Sequence, residues 1–139
     1  MKILLAVDGS SYTKKMLAYL AAHDMYSPKN DYTVFTAQWL LPSQVRSALG
    51  EELVKKYHDD EGHRVMKPVT KFLERHGITA RCVWKIGKPG ELVSKMAKEE
   101  KFDLVVMGSH GRGALVNLVV GSVATEVLAG CKVPVLVVR

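Results

Sequence analysis

Unbroken apolar stretches alternate along this chain with stretches whose apolar residues recur every three or four positions. Residues 3–7 and 104–107 are unbroken apolar runs, 32–39 is rich in β-branched and aromatic residues, 78–86 alternates loosely and 133–138 closes the chain, and each predicts a β-strand. Continuous apolar character, as opposed to strict alternation, suits strands covered on both faces. The helical pattern appears over residues 11–23, where Met16, Leu17, Leu20 and Ala21 fall on one side. It recurs over residues 51–75, carrying Leu53, Val54, Tyr57, Val65, Val69, Phe72 and Leu73, with Pro68 expected to kink or interrupt it and Gly77 to stop it. Two further helices are predicted over residues 91–100 and 122–129, while residues 40–50 read either as loop or as the first turns of the second helix.

Strands alternating with helices predict an α/β fold with a parallel sheet and helices on both faces. The 139 residues match one domain, and neither a repeat nor a low-complexity linker divides them. In such a sheet ligands bind beyond the carboxyl ends of the strands, where the strand order reverses. The chain places Asp8 after the first strand, Gln38-Trp39 after the second and Gly108-Ser109-His110-Gly111 after the fourth.

Charge alters this picture little. The net charge is +6, but the basic residues are interspersed with Asp and Glu and no run of five like charges occurs, which argues against nucleic-acid binding. Cys82 and Cys131 lack metal-ligand spacing and are expected as buried free thiols in a reducing compartment. The apolar run near the start is too short for a signal-peptide core and no run reaches membrane-spanning length, so a cytoplasmic protein without a membrane partner is expected.

The candidate chemistry lies in the segment GSHGRGALVNLVVGSVATEVL from Gly108 onward. Glycine allows backbone amides to approach a ligand closely and permits positive φ. Gly121-Ser122 precedes a helical pattern, so the amides of Ser122, Val123 and Ala124, with the positive end of the helix dipole, form a phosphate site. Ser122 can bond a phosphate oxygen or serve as an ordinary N-cap. G-x-x-x-x-G-K-[ST] is absent, and G-x-G-x-x-G fails because Val116 stands at the third glycine position after Gly111 and Gly113. From these residues alone phosphate binding remains open.

Gly108, Gly111, Gly121 and Ser122 together form G-x2-G-x9-G-[ST], which resembles the nucleotide-binding signature of the universal stress protein family. The resemblance extends over nearly the whole chain, including ILLAVDGS at the start, Ile86-Gly87-Lys88-Pro89, DLVVMGSHGRG and the ending VPVLVVR. It implies a five-stranded parallel sheet of order 3-2-1-4-5, Rossmann-like, with Asp8 and Gly108 flanking one crevice. It also implies an adenine nucleotide, ATP or AMP, with Mg²⁺ or Mn²⁺ as an option alongside ATP. Ala6 and Met107 would line the base pocket, and the backbone near Gln38 would pair with the adenine edge. Asp8 would meet the ribose or a metal-bound phosphate region, Gly108 the ribose, and Gly111, Gly121, Ser122 and the Val123 amide the phosphates. At the second strand's end the family usually carries an apolar residue, often valine, where this chain has Gln38-Trp39.

Other residues are weighed against plainer roles. Asp8 can cap the following turn, and His110 and Arg112 can be solvated loop residues as well as phosphate contacts. His58 and His63, five apart, do not share a helical face, so a solvated acidic turn is expected there and not a metal site. Trp39 and Trp84 are expected in the core or an interface. Hydrolysis needs a base and usually a metal, for which the crevice offers Asp8, with Glu126 and His110 as further options, so a regulatory binding protein is expected and not an enzyme. A slow ATP hydrolase and a scaffold with an unused pocket are the alternatives. The apolar last strand, at a sheet edge in the implied order, predicts a homodimer formed through it.

Overall fold

The computed structural model describes residues 1–112 and 119–139; Gly113 and Val116 of the glycine segment lie outside the described residues. The chain runs β1 (Lys2–Ala6), α1 (Ser11–Ala22), β2 (Asp31–Gln38), α2 (Ser43–Leu49), α3 (Glu51–Arg75), β3 (Arg81–Ile86), α4 (Pro89–Glu99), β4 (Leu104–Gly108), α5 (Ser122–Gly130) and β5 (Val135–Val138). The sheet has five strands in the order β3-β2-β1-β4-β5, every pair parallel, as expected.

Two apolar layers hold the helices to the sheet. On one face Met16, Leu17 and Leu20 of α1 and Val65, Val69 and Leu73 of α3 pack on Ile3, Leu5, Val34 and Val106. On the other, Val93, Met96 and Ala97 of α4 and Ala124 and Val127 of α5 pack on Leu4, Phe35, Val105 and Met107. Successive residues of β1 and β4 therefore serve opposite faces, and both faces are apolar, which is why these strands read as unbroken runs.

Several boundaries differ from the sequence reading for local reasons. Helix α3 runs through Pro68 without interruption, because Val65, Met66, Val69 and Leu73 bury one continuous face on both sides of it. That burial outweighs a proline penalty of about 3 kcal/mol. Ile78 belongs to the helix stop and not to β3: its N–H donates to the Leu73 carbonyl at 3.0 Å, with Gly77 at φ +73°. Residues 43–49 form a separate helix, divided from α3 by Gly50 at φ +82°. The last strand begins at Val135, two residues later than expected.

The expected burial of the cysteines is corrected. Both thiols are free, but Cys82 is exposed on edge strand β3 and Cys131 is half-buried after α5. Trp39 is not a core residue either, being 66% exposed just beyond β2. Trp84 packs under α3, where a Cβ at Gly62 would fall 2.6 Å from its ring. No helix among the described residues is long and apolar enough to cross a membrane.

Candidate functional site

At the carboxyl ends of β1, β2 and β4 the sheet opens into a cleft of about 670 Å³. All nine residues singled out for nucleotide binding (Ala6, Asp8, Gln38, Met107, Gly108, Gly111, Gly121, Ser122 and Val123) line it. Neighbouring strands β1 and β4 set Ala6 against Met107 in register, which puts both at the cleft floor.

Asp8 fastens the turn that follows β1. Its Oδ1 accepts from the Ser10 N–H at 2.9 Å and from the Thr13 hydroxyl at 3.0 Å, while its own N–H donates to Thr13 Oγ1 at 3.1 Å. The turn role is therefore real, yet Oδ2 faces the other way and accepts from the Arg112 N–H at 3.2 Å. Asp8 thus ties the β1 turn to the loop after β4, across the point where strand order reverses.

The glycines of the segment are there for space. None of Gly108, Gly111 and Gly121 has positive φ, which corrects half of the argument made for them from sequence. A Cβ on Gly111 would fall 2.5 Å from Asp8 Oδ2, and one on Gly108 would fall 2.8 Å from Tyr12 Cβ. At Gly121 the nearest atoms would be His110 Cα and the Ser109 carbonyl oxygen, both at 3.1 Å.

Gly121, not Ser122, is the N-cap of α5, and no side chain caps the helix. The Gly121 N–H donates to the Ser109 carbonyl at 2.6 Å, folding the start of α5 against the β4 loop. The first helical bond runs from the Thr125 N–H to the Gly121 carbonyl at 3.0 Å. The amides of Ser122, Val123 and Ala124 therefore lie ahead of the ladder and open on the cleft, where the helix dipole is positive.

At the β2 end the Gln38 carbonyl accepts from the Gly87 N–H at 2.8 Å. The Gln38 side chain turns to α3, donating to the His58 carbonyl at 2.8 Å and meeting His58 Nδ1 at 2.7 Å. His58 is 1% exposed on a helix, so the solvated acidic turn expected there does not exist. Trp39 stands at the cleft rim beside Leu40, Leu41, Pro42 and Tyr57.

His110 lines the cleft, with Nδ1 2.7 Å from Ser109 Oγ and its ring 4.9 Å from that of Tyr12. Glu126 does not belong to the cleft; it lies between α4 and α5, beside Gly90 and Ser94. Glu61, not singled out in the sequence, does belong. It pairs with Arg64 and, at 3.4 Å, with Arg112 Nη1. Its carboxyl lies below its ordinary pKa, chiefly through the Arg64 hydrogen bond, against an opposing effect of burial. A signal for Glu61 was present: Tyr57, Glu61 and Val65 recur every four residues, so they form one stripe facing the cleft. Among the described residues no group of three or more His, Cys, Asp or Glu could hold a metal ion.

The family model described as the universal stress protein family matches residues 1–139. A universal stress protein of Thermus aquaticus is 31% identical over 138 residues, covering 99% of this chain and 97% of that protein. Matches to the Methanocaldococcus jannaschii universal stress proteins MJ0531 and MJ0577, each 34% identical, reach only 52% and 55% of those relatives, about half their length. The solved structure of MJ0577 superposes with a TM-score of 0.82 at 28% identity, covering 99% of this chain and 94% of that one. An Archaeoglobus fulgidus universal stress protein in complex with dAMP shares the fold at a TM-score of 0.67 and 18% identity, covering 100% of this chain and 98% of that one. The chain belongs to the universal stress protein family.

Proposed function

We propose that this universal stress protein binds an adenine nucleotide, ATP or AMP, in the cleft at the ends of β1, β2 and β4, and acts as a regulator and not as an enzyme. The observation that carries the reading is the convergence of Gly108, Gly111 and the open amides of Ser122 and Val123 on one cleft beside Asp8. Anions favour such a helix start through unpaired N–H donors and dipole together. The A. fulgidus relative that binds dAMP has the same fold and adds to the support.

In this reading the phosphates lie against Gly111, Gly121, Ser122 and the Val123 amide. Asp8 and Gly108 meet the ribose, and Ala6 and Met107 form the floor beneath the base. The Gln38 amide is already spent on His58. Adenine recognition at the β2 end therefore falls to backbone groups, and the polar side chain that replaces the family's usual apolar residue does not disturb it. Any Mg²⁺ or Mn²⁺ would enter with ATP and be held mainly by its phosphates, with Asp8 the nearest carboxylate to the glycine loop.

Hydrolysis has little support. Asp8 and Glu61 are the carboxylates lining the cleft among the described residues, and both already hold partners. A homodimer through β5 is part of the same proposal, since β5 is an edge strand of four apolar residues with Val135, Leu136 and Val137 half-buried. The cytoplasm is the setting proposed for it. The test is direct: denature freshly purified protein and record the ultraviolet spectrum and mass of what is released. AMP or ATP in near-stoichiometric amount is expected. Protein that releases none and takes up neither when they are added is a scaffold with an unused pocket.

A further inference from the structure

Arg112 is the residue that follows Gly111, and it reaches across the cleft mouth. Its backbone is pinned by the N–H bond to Asp8 Oδ2 at 3.2 Å. Its guanidinium passes over Gly9, where a Cβ would fall 3.0 Å from Nη2, and ends 3.4 Å from Glu61 Oε1 on α3. A side chain at position 9 would obstruct that path.

The Arg112–Glu61 contact is longer than a good charge-assisted bond of about 2.8 Å, and half of the Arg112 side chain is open to solvent. Glu61 meanwhile has a closer partner in Arg64 on the same helix, through two donors. Releasing Arg112 therefore leaves Glu61 paired, whereas Arg112 itself loses an anion and needs another. A polyphosphate is such an anion. The first phosphate of a nucleotide is provided for by Gly121, Ser122 and the α5 amides. Asp8, Glu61 and Arg112 line the same cleft as Gly121 and Ser122, and among the described residues Arg112 is the cation there that a longer phosphate chain would meet.

We propose that Arg112 and Glu61 form a phosphate-number selector: Glu61 holds Arg112 against α3, and only a ligand with phosphates beyond the first draws it away. The proposal rests on the nucleotide reading of the cleft and adds to it the pair that discriminates polyphosphates from monophosphates. A nucleoside monophosphate leaves the pair in place and gains nothing from Arg112. A triphosphate gains the guanidinium but must compete with Glu61 for it.

The experiment is calorimetric titration of ATP and of AMP into the parent protein, Glu61→Gln, Arg112→Ala and the double variant, with circular dichroism to establish that each is folded. Glu61→Gln should tighten ATP by about threefold, the value of a half-exposed ion pair, and shift AMP by less than about 1.5-fold. Arg112→Ala should weaken ATP by about tenfold with AMP again nearly unchanged. The double variant should match Arg112→Ala, since Glu61 acts only through Arg112. If both nucleotides shift equally, or if folded Glu61→Gln binds ATP as the parent does, the selector is overturned while the nucleotide site stands. A parent protein that binds neither ATP nor AMP overturns the nucleotide reading and the selector with it.

Discussion

Gln38 and His58 hold each other through two bonds: Gln38 Nε2 donates to the His58 carbonyl at 2.8 Å, and His58 Nδ1 lies 2.7 Å from Gln38 Oε1. Both residues are buried, and they join the end of β2 to the middle of α3 at the inner end of the cleft. Because Gln38 Nε2 is the donor to the carbonyl, Gln38 Oε1 accepts from the His58 Nδ1–H, and His58 Nε2 has no partner among the described residues. Gln38→Leu should destabilise the protein by about 1–3 kcal/mol, because it leaves the His58 ring N–H buried and unpaired and removes the second donor to a carbonyl within α3. Denaturant unfolding measures this, and an unchanged midpoint would mean the pair adds nothing.

Cys82 offers a pH-dependent prediction. The residue is exposed on β3, yet partial burial of the thiol pushes its pKa above the ordinary value. The thiolate is the reactive form, so alkylation should be slower than that of a free thiol at neutral pH and should accelerate as the pH is raised through the thiol range. Mass spectrometry of iodoacetamide-treated native protein follows it. Labelling at neutral pH as fast as that of a small-molecule thiol would contradict the expectation.

Much of this molecule was legible in its sequence, for an identifiable reason. The unbroken apolar runs of β1 and β4 arise because Leu5 and Val106 serve one layer while Leu4 and Val105 serve the other. Strand ends were less legible, since Ile78 is apolar like a strand residue but is recruited by a helix stop. His58 was misplaced because Asp59, Asp60 and Glu61 after it look like a solvated turn. Its spacing to Gly62, Val65 and Val69 marks it instead as part of the buried stripe of α3. The residues brought to the cleft from strand ends and from Gly121-Ser122 were readable. For the face of α3, the four-residue spacing of Tyr57, Glu61 and Val65 shows that they share a stripe, but that this stripe meets the cleft depends on how the helix lies over the sheet.

The exposed edge of β5 predicts association. Light scattering at micromolar concentration should give the mass of a dimer, and Val135→Lys should shift it toward the monomer by placing charge on the edge strand. A strictly monomeric parent, with the substitution changing nothing, would remove the dimer from the account.

Turnover should be slow or absent. With Mg²⁺ or Mn²⁺ present, ATP hydrolysis should remain well below about 1 per second, the lower end of ordinary enzymatic rates. Sustained hydrolysis above that rate, lost in Asp8→Ala, would place the protein among enzymes.

The central claim is that nucleotide phosphates lie at the start of α5, and Gly121 is where it is most exposed to test. A valine there would press on His110 Cα and the Ser109 carbonyl, at 3.1 Å already from the first side-chain carbon, and would fill the space beside the open amides. Ser122→Ala removes only a hydroxyl and should weaken binding by about tenfold to a hundredfold, the value of one hydrogen bond to a charged group. The decisive measurement is calorimetric titration of ATP and AMP into folded Gly121→Val beside the parent. Binding by the parent and none by the variant is the predicted result; a folded Gly121→Val protein that binds either nucleotide as tightly as the parent would show that the phosphates lie elsewhere.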